Sequence, residues 1–312
     1  MQVDILAVAN GSPSGVGAVI DVLDAANRLL PDAFEARFLG VGDSPVRLRG
    51  GLTLAVTDLA AVTPAQWVIV PGIGATTPEL MADRLTQPDI PIAAEWLRHA
   101  RNHGSTLVGA CTAAFVLGRA GALDDRSCTC TWWLAGMLAS LFPKAHVDAD
   151  RMVVQDRDVW TGGASFSQID LALAVVEHHY GTLARAVANR LAFERRLSQA
   201  DFVTAAGYGP EVAAIESYVL ANLTHPISLT DLASHARVSA RTLTRRTTAA
   251  TGKPPMQLVQ HIRLQVALDK LRTSHEPVLS IAHDVGLADT ASLYRLVKQA
   301  TGRSPSQFRA GA

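Results

Sequence analysis

The sequence has few cysteines and none of the spacings that mark a metal site or a disulfide framework. Its 312 residues include three cysteines, and Cys128 and Cys130 form a single C-x-C pair with no second pair to complete a set of ligands. Neither a metal nor another cofactor is therefore expected. So few cysteines also favour a reducing compartment, and we expect a cytoplasmic protein.

Neither a secretory leader nor a membrane-spanning segment is expected from the sequence. The first fifteen residues contain Asp4 and lack the basic segment with which a signal peptide begins. The uncharged stretch from Gly104 to Gly118 contains three glycines and is too short to span a bilayer. With 48% hydrophobic and 18% charged residues, the composition excludes a disordered or fibrous chain and leaves room for two globular domains.

The overall charge of zero conceals an uneven distribution. Residues 205–312 hold 12 Lys and Arg against 7 Asp and Glu, a net charge of +5, so residues 1–204 carry −5. A basic segment in an otherwise acidic chain is typical of a nucleic-acid-binding surface. The charge therefore favours DNA as the partner of the last third of the chain.

The last third of the chain also contains one unit written twice. The segment TGKPPMQL at 251–258 returns as TGRSPSQF at 301–308, and Leu243 and Arg245 have counterparts in Leu293 and Arg295. A unit repeated in this way indicates duplication of one structural element.

Each copy has the pattern of a short helix, a tight turn and a second helix. Ser228 with Asp231 begins the first helix-turn-helix, whose second helix, Ala240 to Ala250, is capped by Ser239. In the other copy Asp289 caps a second helix at residues 290–301. Such second helices lie in the DNA major groove, where arginine can pair with guanine and hydroxyl groups can contact phosphate. The predicted DNA-binding residues are Ser239, Arg241, Thr242, Arg245, Arg246, Thr290, Ser292, Tyr294, Arg295 and Lys298.

These segments resemble the DNA-binding domain of the AraC/XylS-type transcription regulators. The resemblance rests on LTDLASHARVSARTLTRR at 229–246, RLQVALDKLR at 263–272 and IAHDVGLADTASLYRLVKQATGRSPSQFR at 281–309. It implies seven helices, with two reading helices joined by a long helix at residues 255–272. Arg237 departs from the glycine that the family often carries at the first turn, which predicts slight backbone strain there.

The first two hundred residues alternate between strand and helix patterns. Short apolar runs at 3–9, 34–39, 67–70 and 106–110 precede helical patterns or glycine-rich turns. We expect a mainly parallel sheet covered on both faces, with ligands bound at the carboxyl ends of its strands. Cys111 follows one strand in the pattern of a nucleophile elbow, and backbone N–H groups near Gly72, Gly74 and Thr112 could form an anion-binding nest.

This half of the chain resembles the PfpI-type, class I glutamine amidotransferase-like domain, and the whole chain resembles the GlxA-type regulators. The resemblance rests on IDVLDAANRL at 20–29, VIVPGIGA at 68–75, GACTAAFVLGRAGALD at 109–124 and TGGASFSQIDLALAVVEHHYG at 161–181. Two departures concern catalysis, because Thr112 and Trp132 stand where related domains carry histidine. Asp21 matches the region of an acidic residue near the cysteine, although it could equally be an exposed helix residue.

The sequence thus predicts a flavodoxin-like, mainly parallel α/β domain at 1–197, a linker at 198–210 and an all-α domain with two helix-turn-helix units at 211–312. The expected function is sequence-specific transcription regulation, with the first domain sensing a small molecule that it does not convert. Its predicted ligand-binding residues are Asp21, Gly72, Gly74, Cys111, Thr112 and Trp132.

Two other functions remain open at this point. A cysteine-dependent hydrolase or amidotransferase-like enzyme would use Cys111, with a distant histidine as its base. Alternatively, the first domain only dimerises. The expected partners are double-stranded DNA, an unidentified effector and a second copy of the chain, with RNA polymerase as a further candidate and no membrane.

Overall fold

A computed structural model describes residues 1–42, 45–196, 198–199 and 209–310. Contacts between Cα atoms divide the chain into two compact units, Met1–Phe202 and Val203–Ala312. Residues 200–208 of the predicted linker lie outside the described residues. No helix within the described ranges is long and apolar enough to cross a membrane.

The described strands of the first unit are β1 Gln2–Leu6, β2 Glu35–Gly40, β3 Val46–Arg47, β4 Thr53–Leu54, β5 Thr57–Asp58, β6 Trp67–Val70, β7 Thr106–Ala110, β8 Ser127–Cys128, β9 His146–Val147, β10 Val153–Asp156 and β11 Val159–Gly162. Seven of them form one sheet in the order β10-β11-β7-β6-β1-β2-β5. All neighbouring pairs in this sheet are parallel except β10 and β11, which form an antiparallel hairpin at one edge. Two small two-stranded sheets, β3-β4 and β8-β9, accompany it.

Helices cover both faces of this sheet, as the alternating pattern predicts. They are α1 Pro13–Leu29, α2 Pro78–Thr86, α3 Asp89–Asn102, α4 Ala114–Arg119, α5 Ala135–Leu141, α6 Ser167–Tyr180 and α7 Leu183–Arg190. One core packs residues of α3, α4 and α5 against the sheet, and the other packs α1, α6 and α7 against its opposite face. Two apolar layers explain why the central strands are apolar in nearly every position rather than alternating.

Helix α7 ends at Arg190. After α7 the chain turns at Ala192, whose φ is +51°, and the backbone N–H of Arg196 donates to the Asp170 carboxylate at 2.9 Å. A buried acceptor on α6 thus replaces the next turn of helix, an interaction that the local sequence does not reveal.

The second unit contains seven helices among its described residues. They are α8 Pro210–Ala221, α9 Leu229–His235, α10 Ala240–Thr251, α11 Pro255–Thr273, α12 Val278–Asp284, α13 Thr290–Thr301 and α14 Pro305–Ala310. Two apolar clusters, one around Leu243 and one around Leu293, give each helix-turn-helix its own core on opposite ends of the long α11. The predicted second helices and the connecting helix are confirmed to within one residue at their ends.

Local capping explains where these helices begin and end. Ser239 accepts from the N–H of Thr242, and Asp289 accepts from the N–H of Ser292. Gly252 and Gly302 end the two helices in the left-handed conformation, with φ of +70° and +72°. The two helix-turn-helix copies therefore repeat in structure as well as in sequence.

Candidate functional site

The first candidate site is the sharp turn at the carboxyl end of β7. Cys111 stands there with φ of +56°, in the left-handed region that only a few per cent of residues other than glycine adopt. A short 3₁₀ turn, Cys111–Ala113, then leads directly into α4. We call this turn, together with the residues packed against Cys111, the elbow. It has the strand, turn and helix that the sequence pattern predicts.

The surroundings of the Cys111 thiol are buried and uncharged. Burial raises its pKa above the ordinary value, because a thiolate would lose its hydration. The backbone N–H of Thr112 and the hydroxyls of Ser165, Thr131 and Thr112 act in the opposite direction without reversing the shift. At neutral pH the thiol is therefore protonated and a poor nucleophile.

The two neighbouring cysteines are less reactive still. Burial, together with the nearby Asp156, raises the pKa of Cys128 to about 12. Burial also raises the pKa of Cys130, which is fully shielded from solvent. Among the described residues, no cluster of three or more His, Cys, Asp or Glu is arranged to hold a metal ion.

Gly72, Cys111 and Thr112 meet at the elbow. The N–H of Ile73 donates to Thr112 Oγ1 at 2.9 Å, which holds the loop after β6 against the turn after β7. A Cβ on Gly72 would stand 3.4 Å from Thr112 Oγ1 and 3.7 Å from Cys111 Cβ. Gly74 contacts a different segment, since its φ is +89° and a Cβ there would lie 2.0 Å from the Asn10 carbonyl oxygen. Only glycine fits at position 74, as a structural turn.

The acidic residue suggested by the sequence does not join these contacts. Asp21 is exposed on α1, and the α1 residue that faces the elbow is Gly15, where a Cβ would stand 2.9 Å from Gln168 Nε2 and 3.2 Å from Pro71 Cβ. Trp132 is 5% exposed and packs edge-on against Trp133, directly after the Thr131 hydroxyl that acts on the thiol.

Three residues at the elbow were not predicted from the sequence: Ser165, Ser167 and Gln168. They follow β11, which pairs with β7 in parallel, so both strands end at the same edge of the sheet. Gln168 Oε1 and Ser167 Oγ are buried and have no hydrogen-bond partner among the described residues. The TGGASFSQ segment, read as a strand end followed by a helix start, was the signal that could have located them.

None of the five histidines in the first unit is among the groups that act on the thiol, where an enzyme would need a distant histidine as its base. His178 and His179 pack on Trp67, the first residue of β6, and so lie toward the amino ends of the strands, opposite the elbow. His99 and His103 stack on each other at the end of α3. His146 lines a separate cavity of about 440 Å³ together with Ser127, Asp148 and Arg151.

The second candidate site consists of α10 and α13, the reading helices. Leu243 and Leu293 are fully buried at matching positions, which leaves the polar faces of both helices toward solvent. The exposed members of the predicted DNA-binding set are Ser239, Arg241, Arg245, Arg246, Thr290, Tyr294, Arg295 and Lys298, whereas Thr242 and Ser292 are half-buried.

Several predicted contact residues have structural partners of their own. Ser239 Oγ donates to Thr242 Oγ1 at 2.9 Å while capping α10, so both hydroxyls are engaged within the protein. Arg246 pairs with Glu211 of α8, and Arg295 Nη2 lies 3.4 Å from Ser292 Oγ. Arg237 has φ of +55°, which confirms the strain expected at the first turn.

Comparison with known proteins gives two family matches that together span most of the chain. Residues 18–178 match the DJ-1/PfpI family, and residues 232–311 match a family of helix-turn-helix domains. A solved structure described as an AraC family transcriptional regulator from Pseudomonas putida is 28% identical, with a TM-score of 0.53, over 61% of this chain and 98% of that chain.

The curated relatives are transcriptional regulators by name. CdhR of Pseudomonas aeruginosa is 25% identical over 96% of this chain and 88% of its own length. GlxA of Rhizobium meliloti is 27% identical over 68% of each chain. GbdR of Pseudomonas aeruginosa is 24% identical over 69% of this chain, which spans 60% of that relative.

Proposed function

Because the chain belongs to the DJ-1/PfpI family and ends in a helix-turn-helix domain, we propose that it is a sequence-specific DNA-binding transcription regulator. We also propose that its first unit senses a small molecule at the elbow without converting it. The observation that carries the proposal is the repeated pair of capped, exposed reading helices on one compact unit with a net positive charge.

The reading helices support recognition of bases as well as phosphates. Arg241 and Arg245 of α10 and Arg295 of α13 are exposed, and a bidentate arginine–guanine contact gives about 1–3 kcal/mol of discrimination. Two linked reading helices can enter successive major grooves on one face of the duplex, so their sub-sites would lie about 10 base pairs apart.

The chemistry of the elbow supports binding rather than turnover. Among the described residues, the groups that act on the protonated thiol are hydroxyls and a backbone N–H rather than a base, and Trp132 cannot accept a proton. The buried Gln168 Oε1 and Ser167 Oγ lack partners among the described residues, so a polar ligand would satisfy them. A ligand that persists can also shift an equilibrium between DNA-binding states for longer than one that is destroyed.

A cysteine-dependent hydrolase or amidotransferase-like enzyme is the second candidate. The observation that favours it is the left-handed backbone of Cys111, which exposes a nucleophile in enzymes built on such elbows. Wild type and Cys111→Ser would be assayed together on amide, ester and 2-oxoaldehyde substrates. Turnover well above background that disappears together with regulation in the variant would establish the enzyme.

The partners follow from the same proposal: double-stranded DNA, a small effector, a second copy of the chain that forms a homodimer, and RNA polymerase at the promoter. Light scattering of the full chain at several concentrations tests the dimer. A constant monomeric mass at micromolar concentration would refute it.

The experiment that tests DNA recognition is selection of bound duplexes from a random pool by the full chain. Wild type should enrich two sub-sites about 10 base pairs apart. Arg241→Ala and Arg295→Ala should each lose preference at one position, whereas Arg28→Ala on α1 of the first unit should enrich the same sequence as wild type. A pool that remains random with all four proteins would refute the function.

A further inference from the structure

Arg196 and Gln199 are hydrogen-bonded to two segments at the elbow, which we call its walls. One wall is the segment 129–132, and the other is the segment 163–167. Both residues are among the last described residues of the first unit, and the sequence continues from them to the DNA-binding unit. Their contacts with the two walls suggest how an event at Cys111 could reach the rest of the chain.

Gln199 is the central residue of this attachment. It is fully buried, and its Nε2 donates to the Cys130 carbonyl at 2.9 Å, to Thr129 Oγ1 at 3.2 Å and to the Arg151 carbonyl at 3.3 Å. Its backbone N–H donates to the Asp150 carbonyl at 2.9 Å. The side chain of Gln199 is thus bonded to the backbone of the first wall.

The second wall also approaches this side chain closely. A Cβ on Gly163 would stand 2.5 Å from Gln199 Cδ, so a glycine at that position lets the carboxamide lie flat against the backbone. Arg196 contacts the same wall, because its Nη2 donates to the Phe166 carbonyl at 2.8 Å and to the Asp170 carboxylate at 2.5 Å.

Both walls lie beside Cys111. Gly162, directly before the second wall, pairs with Ala110 of β7, and the N–H of Thr129 in the first wall donates to Thr161 Oγ1 of β11 at 2.8 Å. Thr131 follows the carbonyl that accepts from Gln199, Ser165 precedes the carbonyl that accepts from Arg196, and both hydroxyls lower the pKa of the thiol against the larger effect of burial. Each of these two hydroxyl-bearing residues is thus adjacent in sequence to an attachment point of Gln199 or Arg196.

We propose that Gln199 couples occupancy of the elbow to the segment leading into the DNA-binding unit. An occupant at Cys111 pushes the walls apart and breaks the hydrogen bonds of Gln199, which releases Gln199 from the elbow. This inference rests on the proposed function, since it identifies how the same sensing site regulates DNA binding.

The physical basis is the narrow tolerance of buried hydrogen bonds. A donor–acceptor distance of 2.9 Å becomes ineffective after a movement of well under one ångström. The buried amide of Gln199 would then have unsatisfied donors beside its already unpartnered Oε1. Since an unsatisfied buried polar group is costly, the side chain should leave its site rather than remain there unpaired.

The probe is iodoacetamide, which adds a carboxamidomethyl group to Cys111. The sulfur–carbon bond forms as iodide leaves, and the thiol proton goes to solvent. The full chain is treated at a pH of about 8.5, and peptide masses verify that Cys111 carries the group while the buried Cys128 and Cys130 do not. Cys111→Met provides an occupant that does not depend on the reagent.

DNA affinity is measured with and without the occupant in four backgrounds: wild type, Gln199→Leu, Gly163→Ala and Gly17→Ala. Gly17 is the matched glycine control, because a Cβ there meets nothing within 4 Å. The occupant should change the affinity of wild type and Gly17→Ala at least about fivefold, a usual size for coupling between sites. In Gln199→Leu and Gly163→Ala the change should fall below about twofold.

Hydrogen exchange distinguishes the proposed coupling from a purely structural role of Gln199. Modification of Cys111 in wild type should speed exchange at the Gln199 amide, whereas in Gln199→Leu exchange should already be fast and unaffected by modification. Equal coupling in all four backgrounds, or no change in any of them, would overturn the inference and leave DNA recognition intact. Absence of DNA affinity in unmodified wild type would instead refute the proposed function.

Discussion

The buried Arg263 of α11 joins the loop between α8 and α9 to the turn of the second helix-turn-helix, and its removal should destabilise the second unit. Arg263 is 7% exposed, and its Nη2 donates to the carbonyls of Leu223 at 3.0 Å and His225 at 2.8 Å. Its Nη1 lies 3.4 Å from the carbonyl of Gly286, at the turn of the second helix-turn-helix. Burial lowers its pKa, because the charge is removed from water.

The size of the effect follows from these bonds. Two well-formed hydrogen bonds from a charged donor contribute about 1.5–3 kcal/mol each, and the substitution also removes a buried charge, which offsets part of the loss. For Arg263→Leu we expect a loss of about 2–4 kcal/mol. In a unit of this size that corresponds to a lower melting temperature by roughly 10–20 °C.

The assay uses two signals that separate the two units. All five tryptophans lie in the first unit, so tryptophan fluorescence reports its unfolding, whereas helical circular dichroism also reports the second. Arg263→Leu should lower the dichroism transition and leave the fluorescence transition in place. Arg263→Lys should lie between wild type and Arg263→Leu.

Arg303→Leu is the matched control, since Arg303 is exposed. A substitution at such a surface position usually changes stability by no more than about 0.5 kcal/mol. If Arg263→Leu melts at the same temperature as Arg303→Leu by both signals, the buried guanidinium does not stabilise the second unit.

Three further outcomes are expected. If five phosphates are neutralised, titrations of the full chain should show log K falling against log salt with a slope of about −4 to −5, and a flat plot would contradict the charged interface. Gly286→Ala should lower the melting temperature of the second unit far more than Gly302→Ala. A Cβ at Gly286 would lie 2.1 Å from the Leu223 carbonyl oxygen, whereas one at Gly302 meets nothing within 4 Å. Equal melting temperatures of the two variants would refute this expectation. Because the pKa of Cys111 is raised, its alkylation should be slow at neutral pH and should still accelerate above about pH 9. A rate that stopped rising near neutral pH would instead indicate an activated thiolate.

The helix-turn-helix units could be predicted because their signals are local. A cap, an apolar stripe and a left-handed glycine lie within a dozen residues, as in the stretch from Ser239 to Gly252. The repeat then tests each assignment against its copy, since Asp289 and Gly302 take the same roles in α13. Such features persist in any tertiary context that keeps the helix.

The contacts that position the elbow could not be predicted from the sequence, because they join residues that are far apart along the chain. Gln168 meets Gly15 across more than a hundred and fifty positions, and Gln199 meets Thr129 across seventy. The path of the chain after α7 has the same cause, because the N–H of Arg196 finds its acceptor on Asp170 rather than within a helix. Glutamine carries no signal of periodicity or charge that would reveal such a role.

The strained backbone of Cys111 has a packing explanation that does not require catalysis. A Cβ on Gly109 would lie 2.5 Å from Leu117 Cδ1, so β7 and α4 approach closely and the chain between them must turn within a few residues. A left-handed residue at position 111 makes that turn whatever its side chain does, at a cost of about 1–2 kcal/mol. The geometry of an elbow is thus set by how the strand and helix pack, whereas its chemistry is set by the groups around the sulfur. Here those groups leave the thiol protonated, so the left-handed turn by itself is not evidence of catalysis.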